Sequence, residues 1–248
     1  MKKLCLAAIT TLLLPNMSYA AACADGENAD GCTISTSDIT YTLTGNITPA
    51  SGVDGIEFTS GADGNDVTQT GNITTTGDYA IGLYLNNSDS NTTNLTGNIT
   101  TAGFLAPGLY FANSDSNTTT LTGNITTAGD SAYWLFLYDS DSNITTLTGN
   151  ITTAGDYAYG LYLNDSDSNI TNLTGNITTS GEGAIGVHFR NGSDNNTIDM
   201  TGNITTTADG ASGIFLSHSD SNDITINGNM TTSGANTSGV YFYNSDSN

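Results

Sequence analysis

From Gly45 to Asn248 the chain repeats one pattern of apolar and polar positions. Each repeat holds three short segments in which apolar residues alternate with polar ones. Asn98-Ile99-Thr100-Thr101 typifies the first, Gly160-Leu161-Tyr162-Leu163 the second, and Asn94-Leu95-Thr96 or Thr120-Leu121-Thr122 the third. A period of two predicts strands, and no useful length of chain carries the three-to-four spacing of an amphipathic helix. Gly, Asp, Asn and Ser fill the gaps, where they supply left-handed backbone or bond the turn through their side chains.

Aligned on Thr-Gly-Asn-Ile-Thr, the glycines fall at Gly45, Gly71, Gly97, Gly123, Gly149 and Gly175, each 26 residues apart. Gly202 follows after one inserted residue, then Gly228. A fixed period in the twenties marks a stacked repeat. The columns agree: Ile47, Ile73, Ile99, Ile125, Ile151, Ile177, Ile204 and Met230 share one site, while Leu43, Leu95, Leu121, Leu147, Leu173, Met200 and Ile226 share another, broken only by Gln69. Pairs such as Leu83/Leu85, Leu109/Phe111 and Val187/Phe189 give two more. Like residues at one depth are what stacked coils bury. The expectation is an all-β fold, a right-handed parallel β-helix (solenoid) of about eight 26-residue coils. The hexapeptide unit of left-handed β-helices does not divide that period, and crossovers favour the right hand.

Composition adds a compartment. Lys2 and Lys3, the apolar run Leu4 to Leu14 and the small residues Ser18-Tyr19-Ala20 read as a signal peptide over residues 1–20, too short to span a bilayer. Its removal leaves Arg190 as the one cation against 24 acids, a formal charge of −23. That balance excludes nucleic acid and anionic membrane surfaces as partners. Cys23 and Cys32 remain, an even pair that predicts one disulfide in an exported chain. The organisation is then a cap over 21–40 and repeats over 41–248, ending inside the last coil.

The signal peptide, the early Cys23/Cys32 pair and the Gly-Asn-Ile-Thr coils together resemble the passenger domain of a Gram-negative autotransporter. The resemblance implies export through the periplasm to the cell surface. It also implies outer-membrane translocation through a C-terminal β-barrel, so that this chain is a fragment of a longer protein. It further implies adhesion or surface presentation, with a host or neighbouring-cell surface, or a second copy, as partner.

Catalytic chemistry is sparse. β-Helical lyases commonly use Arg or Lys as base, and only Arg190 is on offer. A glycosidase needs a carboxylate pair, but these acids recur in every coil, whereas an active site breaks the repeat. Neither Gly-x-Ser-x-Gly nor a trypsin-like segment occurs. A polysaccharide-processing enzyme is therefore the weakest reading, and no cofactor is called for. His188 and His218 read as solvated surface histidines. Gly181-Glu-Gly183-Ala-Ile-Gly186 imitates a dinucleotide fingerprint, but no helix follows to receive a phosphate.

Three features carry candidate function. Tyr84, Tyr110, Phe136, Tyr162, His188, Phe215 and Tyr241 form an outward aromatic column, either a stacked ladder or a surface for protein or carbohydrate. Thr42/Thr44, Thr68/Thr70, Thr120/Thr122 and Thr146/Thr148, with Asn94/Thr96 and Asn172/Thr174, form paired files similar to those of ice-binding proteins. Asp199 and Asn227 interrupt them. Asp63, Asp89, Asp115, Asp141, Asp167, Asp194, Asp220 and Asp246 share one register in Ser-Asp-Ser-Asn turns and form a candidate calcium column. The alternative is a solvated turn. Carboxylates about 5 Å apart repel by roughly 0.8 kcal/mol per pair in water.

Overall fold

The computed structural model describes residues 21–248. The expected signal peptide, residues 1–20, lies outside the described residues. All regular structure described is β-strand, stacked in parallel into three sheets of ten, nine and seven strands. This is the expected parallel β-solenoid. One coil runs through Ile99–Thr101, then Leu109–Ala112, then Thr118–Thr122, and each strand pairs with its copies in the coils before and after. The three faces are named here the isoleucine, tyrosine and leucine sheets.

The columns stack in register. Ile99 lies between Ile73 and Ile125, Leu109 between Leu83 and Leu135, and Leu121 between Leu95 and Leu147. These side chains form one continuous buried core along the axis. Gln69, the polar break in the leucine column, is also buried and donates Nε2–H to the Gly45 carbonyl at 2.7 Å. The single tryptophan, Trp134, is buried in the same core at a position where neighbouring coils have Gly108 and Gly160.

Each coil is bent shut by its own side chains. Leaving the isoleucine sheet, the inward threonine donates its hydroxyl to the carbonyl five residues on, as in Thr75 to Ala80 and Thr153 to Ala158, both at 2.7 Å. At the opposite corner Gly123 holds φ +152°, and a Cβ there would collide with the Gly97 carbonyl. The recurrent glycine is therefore a contact requirement of stacking. The same holds for Gly181, whose absent Cβ would strike the Gly155 carbonyl, so the dinucleotide-like segment is two solenoid columns read in sequence.

At the N-terminal end Ala21–Ala22 pairs with Cys32–Ile34, which pairs with Ile56–Phe58, so stacking begins inside the cap segment. The Cys23–Cys32 disulfide closes this first turn. The inserted residue falls at the Asn191-Gly192 corner: Asn164 aligns with Arg190, 26 residues on, whereas Ser166 bonds Ser193, 27 residues on.

Because identical faces meet above and below each coil, excising residues 118–143 should leave a cooperatively folded protein with an unchanged β circular-dichroism spectrum. Excising only 118–130 mismatches every column and should abolish cooperative melting. Equal damage from both deletions would contradict an in-register solenoid.

Candidate functional site

The Ser-Asp-Ser-Asn turn is a hydrogen-bonding device. Its first serine is buried: Ser114 Oγ accepts the Ser88 amide at 3.0 Å and donates to the Ala112 carbonyl at 3.0 Å. Its second serine is left-handed, with φ near +58° at Ser90, Ser116, Ser142 and Ser168. Its asparagine is buried: Asn117 Oδ1 accepts the Asn91 amide at 2.8 Å, and Asn143 repeats this for Asn117. The aspartate amide points the other way, towards the preceding coil. There the preceding aspartate accepts it, Asp115 bonding Asp89 Oδ1 at 2.8 Å and Asp141 bonding Asp115 at 2.7 Å. This continues through Asp167, Asp194, Asp220 and Asp246.

The acidic register thus lies on one corner, one carboxylate per coil, with one oxygen of each acid from Asp63 to Asp220 engaged by backbone. Among the described residues no three His, Cys, Asp or Glu side chains converge as a metal-holding group. Partial burial raises the Asp167 carboxyl above the usual range, opposed by the Asp194 amide and reinforced by the charges of Asp141, Asp194 and Asp165.

The aromatic column is a continuous stack. Ring centroids lie 5.1 Å apart for Tyr84 and Tyr110, 4.7 Å for Tyr110 and Phe136, and 4.9 Å for Phe136 and Tyr162, within 9° of parallel. Tyr162, His188, Phe215 and Tyr241 continue it. Ring faces are consumed by stacking, so most of the column turns edges and hydroxyls outward. Burial pushes the Tyr84 hydroxyl up to about 12, with the neighbouring Tyr110, Asp54 and Glu57 adding to it.

A second aromatic layer covers part of this edge. Tyr159 stands perpendicular to both Tyr162 and His188, at 5.3 and 4.9 Å, and Tyr133 does the same to Phe136. Because the His188 faces are held by Tyr162 and Phe215, the Tyr159 face meets its edge. His188 is consequently 6 % exposed, which corrects its reading as a solvated histidine; His218 is exposed as expected. A single outward position looks wet in sequence, and only the rings around it close it off. Burial pushes the His188 pKa down to about 4, with Arg190 adding to the effect.

Between this second layer and the corner beyond it runs a groove. The corner position is left-handed in successive coils: Tyr79, Leu105, Ser131, Tyr157, Gly183, Gly210 and Asn236. One pocket of about 270 Å³ lies among Tyr79, Leu105, Pro107, Tyr110 and Phe136. A second, of about 460 Å³, opens at Gly183 and Gly210, where the wall has no side chain, and is lined by Tyr157, Tyr159, His188, Phe215, Glu182 and Asp209. The periodic reading missed this opening. Its only signal in sequence is glycine standing where the other coils from Tyr79 to Asn236 carry a side chain, Tyr, Leu, Ser or Asn.

The paired threonine files lie outward on the leucine sheet, with Thr44, Thr70, Thr96, Thr122, Thr148 and Thr174 all exposed. From Thr92–Thr96 through Ile170–Thr174 that face carries no charged side chain; Asp66 and Asp199 bound it.

If the turn acids serve as amide acceptors, Asp141→Ala orphans the Asp167 amide and should cost on the order of 1 kcal/mol by denaturant unfolding. Asp141→Asn keeps the acceptor, removes a repulsion and should be neutral or stabilising in low salt. An Asn variant as damaged as the Ala variant would show that the charge itself is needed.

A partly buried carboxyl and a buried imidazole give opposite pH responses. Burial raises Asp54 to about 7, against a bond from the Ile81 amide that lowers it and the Glu57 charge that raises it. Its folded value exceeds its unfolded one, so stability is gained as pH falls from 8 through 7 towards 4. His188 has the lower folded value, so stability is lost as pH falls from 6.5 through 4. The melting temperature should rise from pH 8 to about 6.5 and then level off. Asp54→Asn should raise it at pH 8 by several degrees and leave a decline below pH 6.5. His188→Phe should remove that decline. Unaltered profiles in both variants would refute the assignment.

No protein family, no curated protein and no solved structure matches this chain.

Proposed function

We propose that the chain is an exported, surface-displayed β-solenoid acting in adhesion or surface presentation, without catalysis, as the passenger of an autotransporter would. The observation that carries this is the use of the repeated acids. The most numerous carboxylates hold coil to coil through backbone amides and serve a long rigid body. The disulfide-closed first turn suits an oxidising compartment. A charge of −21 over the whole sequence favours solubility. The partner is a host or neighbouring-cell surface, or a second copy.

The paired, exposed and uncharged threonine files of the leucine sheet favour a second reading, an ice-binding face.

Displayed on a bacterial surface behind a heterologous anchor, the full chain should increase attachment or clumping over cells bearing the anchor alone. Soluble protein should compete. Phe104→Ser with Tyr157→Ser, both exposed, should reduce the effect while preserving the fold. A folded, displayed chain that changes neither attachment nor clumping would defeat the adhesion reading. Ice shaping by the purified protein, lost in Thr122→Tyr, would install the second.

A further inference from the structure

The pocket at Gly183 and Gly210 differs from the rest of the groove in three ways. First, its wall is open at Gly210, where a Cβ would meet nothing closer than 3.8 Å, while Gly183 leaves room for the Tyr157 ring, which lies 2.7 Å from where its Cβ would stand; the same corner carries Tyr79, Leu105 and Tyr157 in other coils. Second, one of its carboxylates is released from stacking. In this column Asp156 accepts the Glu182 amide at 2.8 Å and Asp209 accepts the Ala235 amide at 2.7 Å, but the longer Glu182 side chain accepts no bond among the described residues. Third, the pocket is backed by His188, more than nine-tenths buried, whose two ring nitrogens have no hydrogen-bond partner.

We propose that this pocket binds an organic cation, a guanidinium or alkylammonium group, against the rings of Tyr157 and Tyr159, with Glu182 and Asp209 as counter-charges. Aromatic faces combined with carboxylates are the composition that holds such cations. Two acids on one rim reject an anion, and the nearest cation of the protein, Arg190, is exposed and donates to Asn191 instead. His188 is neutral at neutral pH, so the imidazole itself adds no repulsion; the Arg190 charge is the one cation felt at His188 and Tyr159 among the described residues. His188 lines the pocket beside Tyr159, so a bound cation is felt at the imidazole. The field of the acidic body steers cations towards the site. The inference goes beyond surface display and is tested on soluble protein, so either idea can fail without the other.

The two histidines make the test internal, because His188 backs the pocket and His218 lies on the exposed Ser217-His218 turn. Purified protein is titrated with Nα-acetyl-arginine amide, Nα-acetyl-lysine amide and spermidine, which separate a protein side chain from a free polyamine. Acetyl-citrulline amide is the neutral isostere of arginine. Histidine ring resonances are followed by NMR. At least one cation should shift the His188 signal and spare His218, citrulline should do neither, and affinity should fall about five-fold or more between 20 and 300 mM NaCl. Gly210→Tyr, which fills the pocket with a residue other coils accept at this corner, should abolish the shift, and Glu182→Gln should weaken it several-fold. No shift with any of the cations, an equal response to citrulline, or binding untouched by Glu182→Gln overturns the proposal.

Discussion

The constraint beneath this structure is that backbone amides must find acceptors, most of them in a neighbouring coil. Strand amides do so by parallel pairing. Some corner amides do not, because a sharp turn reverses them. At the Ser-Asp-Ser-Asn corner the aspartate amide faces back while the serine and asparagine amides face forward. A second backward amide lies at the Gly-Asn corner, where Asn124 bonds Asn98 Oδ1 at 2.8 Å. No carbonyl meets these groups, so each coil lends a short polar side chain to its neighbour. Leaving such a donor buried and unpaired costs on the order of 1–3 kcal/mol, and there are several per coil. The chain is rich in Asn, Asp and Ser for that reason.

This explains how a sequence with the bulk composition of a disordered segment packs so regularly. Apolar columns supply one narrow core, too thin to specify a fold alone. Polar ladders fix the register, because a slipped coil would leave its amides without acceptors and its glycines replaced by clashing Cβ atoms. Aromatic stacking adds a third file of contacts on the outside of the tyrosine sheet, each worth about 0.5–1.5 kcal/mol beyond burial.

The solenoid was legible in the sequence because its signal repeats: a column is seen several times over, as with Ile99, Ile125 and Ile151, and a single exception such as Gln69 stands out against it. The disulfide followed from parity and compartment. What periodicity cannot show is direction, since the forward or backward pointing of an amide leaves no trace in residue type. The acids of the register therefore read as a cation column or as solvated turns, without the amide-acceptor role that the geometry gives them. Nor can it show enclosure. His188 occupies an outward position and is buried by Tyr159 from the adjacent column and by Tyr162 and Phe215 above and below. Gly183 and Gly210 look like two more turn glycines until the corner is seen to carry Tyr79, Leu105 and Tyr157 in three other coils.

The single-residue insertion at Asn191-Gly192 bears on how such a body changes length. A corner absorbs an extra residue while the three strands on either side keep their pairing. Length along the axis is set by the number of coils, at about 4.8 Å each, and the girth stays constant. Duplication or loss of one repeat in the gene would therefore shift the height at which the groove is held, by half a nanometre per event, while leaving its walls unaltered. Copy number in this architecture acts as a ruler for reach, adjustable by recombination between near-identical stretches without the invention of any new interface.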